Sequence, residues 1–138
     1  MMVSTRGRYA LRVMVDLAEQ PRDTYVPLRT IAQRQGISLK YLEAIMNVLS
    51  KAGQVNALQG RGGGYRLAMP PEQYTVADIL KLTEVSLSPV ACVDEAGVAC
   101  ERSSACRTQR MWVGLDQVIS GYLRGTTLKD LAVTGAER

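Results

Sequence analysis

Three cysteines, Cys92, Cys100 and Cys106, fall within one short stretch of a 138-residue chain that contains no histidine. Thiolates are soft metal ligands, nucleophiles and redox groups. Structural zinc sites draw on closely spaced cysteine pairs; here seven residues separate the first two cysteines and five separate the last two. That spacing suits a bulkier iron–sulfur centre, which needs a fourth ligand. Gln109 follows Cys106 by three residues, and Asp94, Glu95 and Glu101 are carboxylates of the same stretch. A group from a second subunit is another candidate. Three unligated surface thiols, a zinc-stabilised fold and a transient disulfide remain open alternatives. Without histidine no Cys–His pair can form, so a thiol enzyme is disfavoured and a non-enzyme is expected.

The elements that must carry these thiols follow from composition and periodicity. The chain is 46% hydrophobic but only 5% aromatic, with no phenylalanine, so aliphatic side chains must fill the core, and that favours helices. Ser4 can cap a helix over 5–19, with Tyr9, Val13, Met14 and Leu17 at helical spacing. Tyr25, Val26 and Pro27 read as a short extended piece. A second helix covers 28–35, with Leu28, Ile31 and Ala32 inward; Gly36, Ile37 and Ser38 form a turn. Ser38 caps a third helix over 39–52, with Leu42, Ile45, Met46 and Leu49 on its apolar stripe. Two short strands follow, around Val55 and around Tyr65, joined by a glycine-rich turn that holds Arg61. Thr75 caps a fourth helix over 76–83. Residues 84–104, which hold two of the three cysteines, show no sustained period. A long helix over 107–123 returns with Met111, Leu115, Val118, Ile119, Tyr122 and Leu123 as one broad stripe, and a last short helix covers 128–132.

Helix, turn, helix and glycine-tipped basic hairpin make a winged helix-turn-helix, a mainly α fold with a small β wing. The charge supports this reading. Residues 1–66 hold ten Lys/Arg against four Asp/Glu; residues 67–138 hold seven against nine. The N-terminal part suits a polyanion. The third helix would present Ser38, Lys40, Tyr41 and Glu43 to base edges. Arg61, with Gly62 and Gly63 beside it, would approach the minor groove, and Arg6, Arg8 and Arg29 near helix starts would hold phosphates. The expected division is 1–83 for DNA reading, 84–106 for the cysteine loop and 107–138 for a dimerisation helix plus C-terminal helix. No apolar run approaches the ~20 residues of a membrane span, and the start lacks a secretory signal, so a cytoplasmic protein with no membrane partner is expected.

Nearly the whole chain resembles the IscR-like iron–sulfur winged-helix regulators. The resemblance rests on Ser4 to Ala10, on Ile31-Ala32 with Gly36-Ile37-Ser38, and on Tyr41-Leu42-Glu43. It continues in the wing glycines before Tyr65, the three-cysteine loop followed by Trp112, and Thr126-Thr127-Leu128 with Asp130-Leu131. It implies a homodimer joined by the long helix, through Met111, Leu115, Val118, Ile119 and Tyr122, bound to a double-stranded DNA operator. It also implies one cluster per subunit on Cys92, Cys100 and Cys106, 2Fe–2S with 4Fe–4S as the alternative. Three departures stand out. The usual histidine ligand is Gln109 here, which leaves Gln109 or Glu101 as the fourth-ligand candidates. The aspartate ligand of related nitric-oxide-sensing repressors is Arg8 here. In the wing, Gln59 and Arg61 replace an arginine and a proline. The expected function is a transcriptional regulator tuned by a cluster in iron–sulfur or redox homeostasis. The alternative is a clusterless repressor of cysteine or sulfur metabolism that senses thiol state or a partner protein.

Overall fold

A computed structural model describes residues 2–95, 97 and 100–133. Residues 96, 98 and 99 of the cysteine loop, and 134–138 of the C-terminal stretch, lie outside the described residues. Six α-helices and one two-stranded antiparallel sheet are found among the described residues.

Helix α1 (Thr5–Ala18) is capped by Ser4, whose hydroxyl accepts from the Gly7 N–H at 3.0 Å. Its buried face holds Ala10, Val13, Met14 and Leu17, and also Asp16. Helix α2 (Leu28–Gln35) starts after Pro27, whose fixed φ suits a helix entry, and ends at Gly36. Helix α3 (Leu39–Lys51) is capped by Ser38 and buries Leu42, Ile45, Met46 and Leu49, the stripe expected from spacing. Strands β1 (Val55–Leu58) and β2 (Gly64–Leu67) pair in antiparallel register from Val55–Leu67 to Leu58–Gly64. Val26 adds a single bridge to Tyr65, so the extended piece before α2 anchors the wing. Helix α4 (Val76–Thr83) carries a reciprocal capping box between Thr75 and Asp78.

The C-terminal helices differ from the periodic reading. Helix α5 spans Gln109–Gly125, two residues later at each end than expected. Thr108 precedes it without a side-chain cap bond, and the helix runs on to the extended Thr126. Its broad stripe divides: Met111, Leu115, Val118 and Tyr122 are exposed, whereas Ile119 and Leu123 are half-buried. Helix α6 (Leu128–Leu131) ends one residue early and is capped by Thr127 and Asp130.

The stretch from 107 onward is also not one unit in space. Leu128 is fully buried in the same core as α1 and α3, and its N–H donates to the Tyr74 carbonyl at 3.1 Å. The Val76 N–H donates to the Thr126 carbonyl at 2.9 Å. Helix α6 therefore closes the winged-helix core, while α5 is an excursion from it that buries no residue completely. Sequence period reports which face of a helix is apolar, not which unit it returns to. No described helix is long and apolar enough to cross a membrane.

Candidate nucleic-acid interface and thiol loop

Helix α3 gains its position from its buried stripe, which leaves the opposite face to solvent. Lys40, Tyr41, Glu43 and Ala44 are exposed there. Ser38 is engaged as the cap, accepting from the Tyr41 N–H at 3.2 Å, which leaves its hydroxyl proton able to donate to another acceptor. A concavity between α2, α3 and the wing is lined by Arg29, Leu39, Glu43, Leu58 and Gly60 among others. The structure thus brings Arg29, Glu43 and the base of the wing turn to one recess.

The wing tip is held close to the body by Gly64. A Cβ there would stand 2.2 Å from the Val26 carbonyl oxygen, so only glycine lets β2 approach the 25–27 segment this closely. On the same strand, the Arg66 guanidinium lies 4.4 Å from the Tyr25 ring centroid, a cation–π contact. In the sequence Arg66 is marked only by its position beside the glycine turn. Arg61, Gly62, Arg6, Arg8 and Arg29 are exposed, and Gly63 is half-buried under the turn. The Arg8 guanidinium donates to Thr5 Oγ1 at 3.0 Å and stays on the outside of α1.

The thiol loop leaves α4 at Glu84 and enters α5 at Gln109. Cys92 lies in a single 3-10 turn, Ala91–Val93, and lines a recess with Gln109, Glu95 and Asp116. Cys92 and Cys100 are half-buried and Cys106 is exposed; all three are free thiols. Cys106 sits at the entrance to α5, its sulfur 3.3 Å from Thr108 Oγ1. That hydroxyl contact, with backbone N–H groups of Thr108 and Gln109, holds the Cys106 thiol below its usual range. Glu101 is exposed in the turns before Cys106. Among the described residues no group of three or more Cys, Asp or Glu side chains converges at metal-binding spacing. The donor chemistry fits an iron–sulfur group: three thiols on one irregular segment, with an amide beside the first. The three sulfurs are not gathered around one point.

Geometry and comparison agree on what kind of protein this is. The family model described as Rrf2, iron-dependent transcriptional regulator, matches residues 3–134. The chain belongs to the Rrf2 family. Within Rrf2 it is 38% identical over 133 residues to the HTH-type transcriptional regulator IscR of Aliivibrio salmonicida, covering 96% of this chain and 78% of that one. Among solved structures it is similar to CymR, the global cysteine regulator of B. subtilis. That match has a TM-score of 0.80 and 33% identity, over 96% of both chains. It is also similar to T. potens IscR, with a TM-score of 0.75 and 35% identity, over 95% of this chain and 85% of that one. The resemblance drawn from motifs and the mainly α winged-helix fold both hold. The chain is a DNA-binding transcriptional regulator of the Rrf2 family and not an enzyme.

Proposed function

We propose that this Rrf2 regulator acts as a homodimer whose operator affinity is tuned by an iron–sulfur cluster, one per subunit. Cys92, Cys100 and Cys106 would hold it, with Gln109 the nearest candidate for the fourth position because it shares a recess with Cys92. When bound, such a group supplies a redox- and oxygen-sensitive cross-link between thiolates. The observation that carries the reading is the location of the thiols. They lie on the segment that joins α4, part of the winged-helix core, to α5, the helix with an exposed apolar stripe.

Any change in that segment alters how two reading helices sit relative to each other in a dimer. Paired half-sites about one helical turn apart, or a multiple of it, make affinity sensitive to that spacing. A coupling of ~1–3 kcal/mol is enough to change occupancy about five-fold or more. Anaerobic reconstitution, followed by absorption spectra and iron and sulfide analysis, tests the proposal. Bound iron and sulfide, lost in the Cys92→Ser/Cys100→Ser/Cys106→Ser variant, together with altered operator affinity, is the expected result. A colourless protein without iron rejects it.

A second reading, a clusterless regulator responding to thiol state or a partner protein, is favoured by two observations. Among the described residues the sulfurs are not gathered around one point, and Cys106 is an exposed free thiol at the entrance to α5. On that reading the reconstituted protein binds no iron.

A further inference from the structure

The Glu84 side chain, at the stem of the thiol loop, reaches back 80 residues to the start of α1. Its Oε2 accepts from the Ser4 hydroxyl at 2.7 Å, and its Oε1 accepts from the Ser4 backbone N–H. Ser4 is the cap of α1, so the carboxylate grips the residue that organises the first helical turn. The fit beside it is tight. A Cβ on Gly7 would stand 3.0 Å from Thr83 Oγ1 and 3.1 Å from the Glu84 carboxyl. The first turn of α1 is therefore pinned to the point where the 84–106 segment begins.

The other end of that turn touches the reading helix. The Tyr9 ring stands edge-on to Tyr41, with centroids 5.7 Å apart and planes at 83°. The Arg12 guanidinium covers the Tyr9 ring at 5.2 Å and donates to Gln35 Oε1 of α2 at 3.2 Å. Tyr9 is thus flanked by Tyr41 of α3 and by Arg12, which reaches α2, and Tyr41 lies in the exposed first turn of α3.

We propose that Ser4 and Tyr9 are positioning residues that link the stem of the thiol loop, through the Glu84 carboxylate, to the placement of Tyr41 on the DNA-reading helix. A hydrogen-bonded helical turn moves as a unit, so a displacement at Ser4 is carried to Tyr9. Losing the Glu84 grip loosens the cap, shifts the Tyr9 ring and releases Tyr41 from its edge contact. Arg6 and Arg8 ride on the same turn. This inference rests on the DNA-reading surface described above and does not require a cluster.

A double-mutant cycle on the full chain tests it, using a duplex selected from a random pool by the unaltered protein. Glu84→Ala and Tyr9→Leu should each weaken binding about three- to ten-fold, the scale of a coupling residue outside the contact surface. The double variant should bind no more weakly than the worse single one, and Tyr9→Phe should restore affinity. Arg61→Ala, which acts at the wing, should multiply with Glu84→Ala. If Tyr9→Leu does not fold, Ser4→Ala and Tyr41→Leu take the same corners with the same expected non-additivity. Effects that multiply, or a Tyr9→Leu protein of unchanged affinity while Arg61→Ala weakens binding, overturn the inference alone. If Arg61→Ala also changes nothing, the reading surface is misplaced and the inference falls with it.

Discussion

Arg34 grips Asp16 through two hydrogen bonds, Nη2 to Oδ1 at 2.6 Å and Nε to Oδ2 at 3.0 Å. The Asp16 side chain is 3% exposed and that of Arg34 is 40% exposed, so a buried carboxylate of α1 is neutralised by a half-solvated cation of α2. Gln35 adds a third donor, Nε2 to Oδ2 at 2.7 Å. The arrangement fixes α1 against α2.

Removing the cation should leave Asp16 buried with one amide partner. A deeply buried pair broken in this way costs more, but water reaches Arg34, so Arg34→Ala is expected to cost about 2 kcal/mol. Arg34→Lys, which cannot make the two-bond fork, should fall between. The Asp16 hydrogen bond raises the pKa of Arg34 above its ordinary value. Arg34 therefore stays charged throughout the neutral range, and its own share of the stability is lost as pH rises through that raised value. Urea unfolding measures the difference; a change below about 0.5 kcal/mol would mean that the pair is a surface contact.

Tyr74 gives a pH-dependent prediction. Its ring is fully buried, and its hydroxyl donates to the Gln54 carbonyl at 2.6 Å and accepts from the Met69 N–H at 3.0 Å. Burial pushes the phenol above its ordinary value, opposed by the Met69 N–H. The unfolded phenol titrates near pH ~10. The hydroxyl's stabilisation is therefore complete below that pH and is lost as pH rises through the higher folded value. Tyr74→Phe should cost about 1–3 kcal/mol at neutral pH by stranding the Met69 N–H and leaving the Gln54 carbonyl with the Ala68 N–H alone. As pH rises above about 10 the unaltered protein should lose stability faster than the variant, so that their melting temperatures approach each other. Parallel curves would contradict this.

These two residues also mark where sequence reading stops. The α3 stripe of Leu42, Ile45, Met46 and Leu49, and the caps Ser4, Ser38 and Thr75, are legible because a helix face or a cap is decided within four residues. Tyr74, in contrast, is buried by α6 returning from residue 128, and Asp16 finds its partner 18 residues away. Nothing local announces either. In the site, the basic wing and the exposed face of α3 follow from residue type. The Glu84–Ser4 contact spans 80 residues and carries no periodic signature. The cysteine spacing declares a donor set but not whether the sulfurs meet.

Arg61 and Glu43 should separate affinity from specificity. Arg61 is exposed at the wing turn, and Glu43 shares the recess between α3 and the wing. Arg61→Ala should weaken binding to every duplex and reduce the slope of log affinity against log salt by about one. Glu43→Ala removes an acceptor suited to the cytosine amine and should cost about 1–3 kcal/mol of discrimination at one base position, which broadens site choice. Salt-titrated isotherms and selection from a random pool measure the two effects. Unchanged isotherms for both variants on every duplex would place the reading surface elsewhere.

The exposed stripe of α5 should be a helix–helix seam. Met111, Leu115, Val118 and Tyr122 recur at intervals of four, three and four, and are 51%, 38%, 68% and 72% exposed. That interval keeps one face turned toward a partner helix, and a row of large apolar groups left in water favours association. A second copy of the same helix, related by two-fold symmetry, meets the requirement with one self-complementary surface. Val118→Glu should then weaken self-association about tenfold or more, because it places two carboxylates in an apolar contact. Val118 lies outside the core, so the variant's melting temperature at low concentration should hardly move. Its affinity for a two-half-site duplex should fall while its affinity for a single half-site persists. Sedimentation of both proteins over a range of concentrations decides the matter: equal masses at every concentration would leave α5 without a role in pairing.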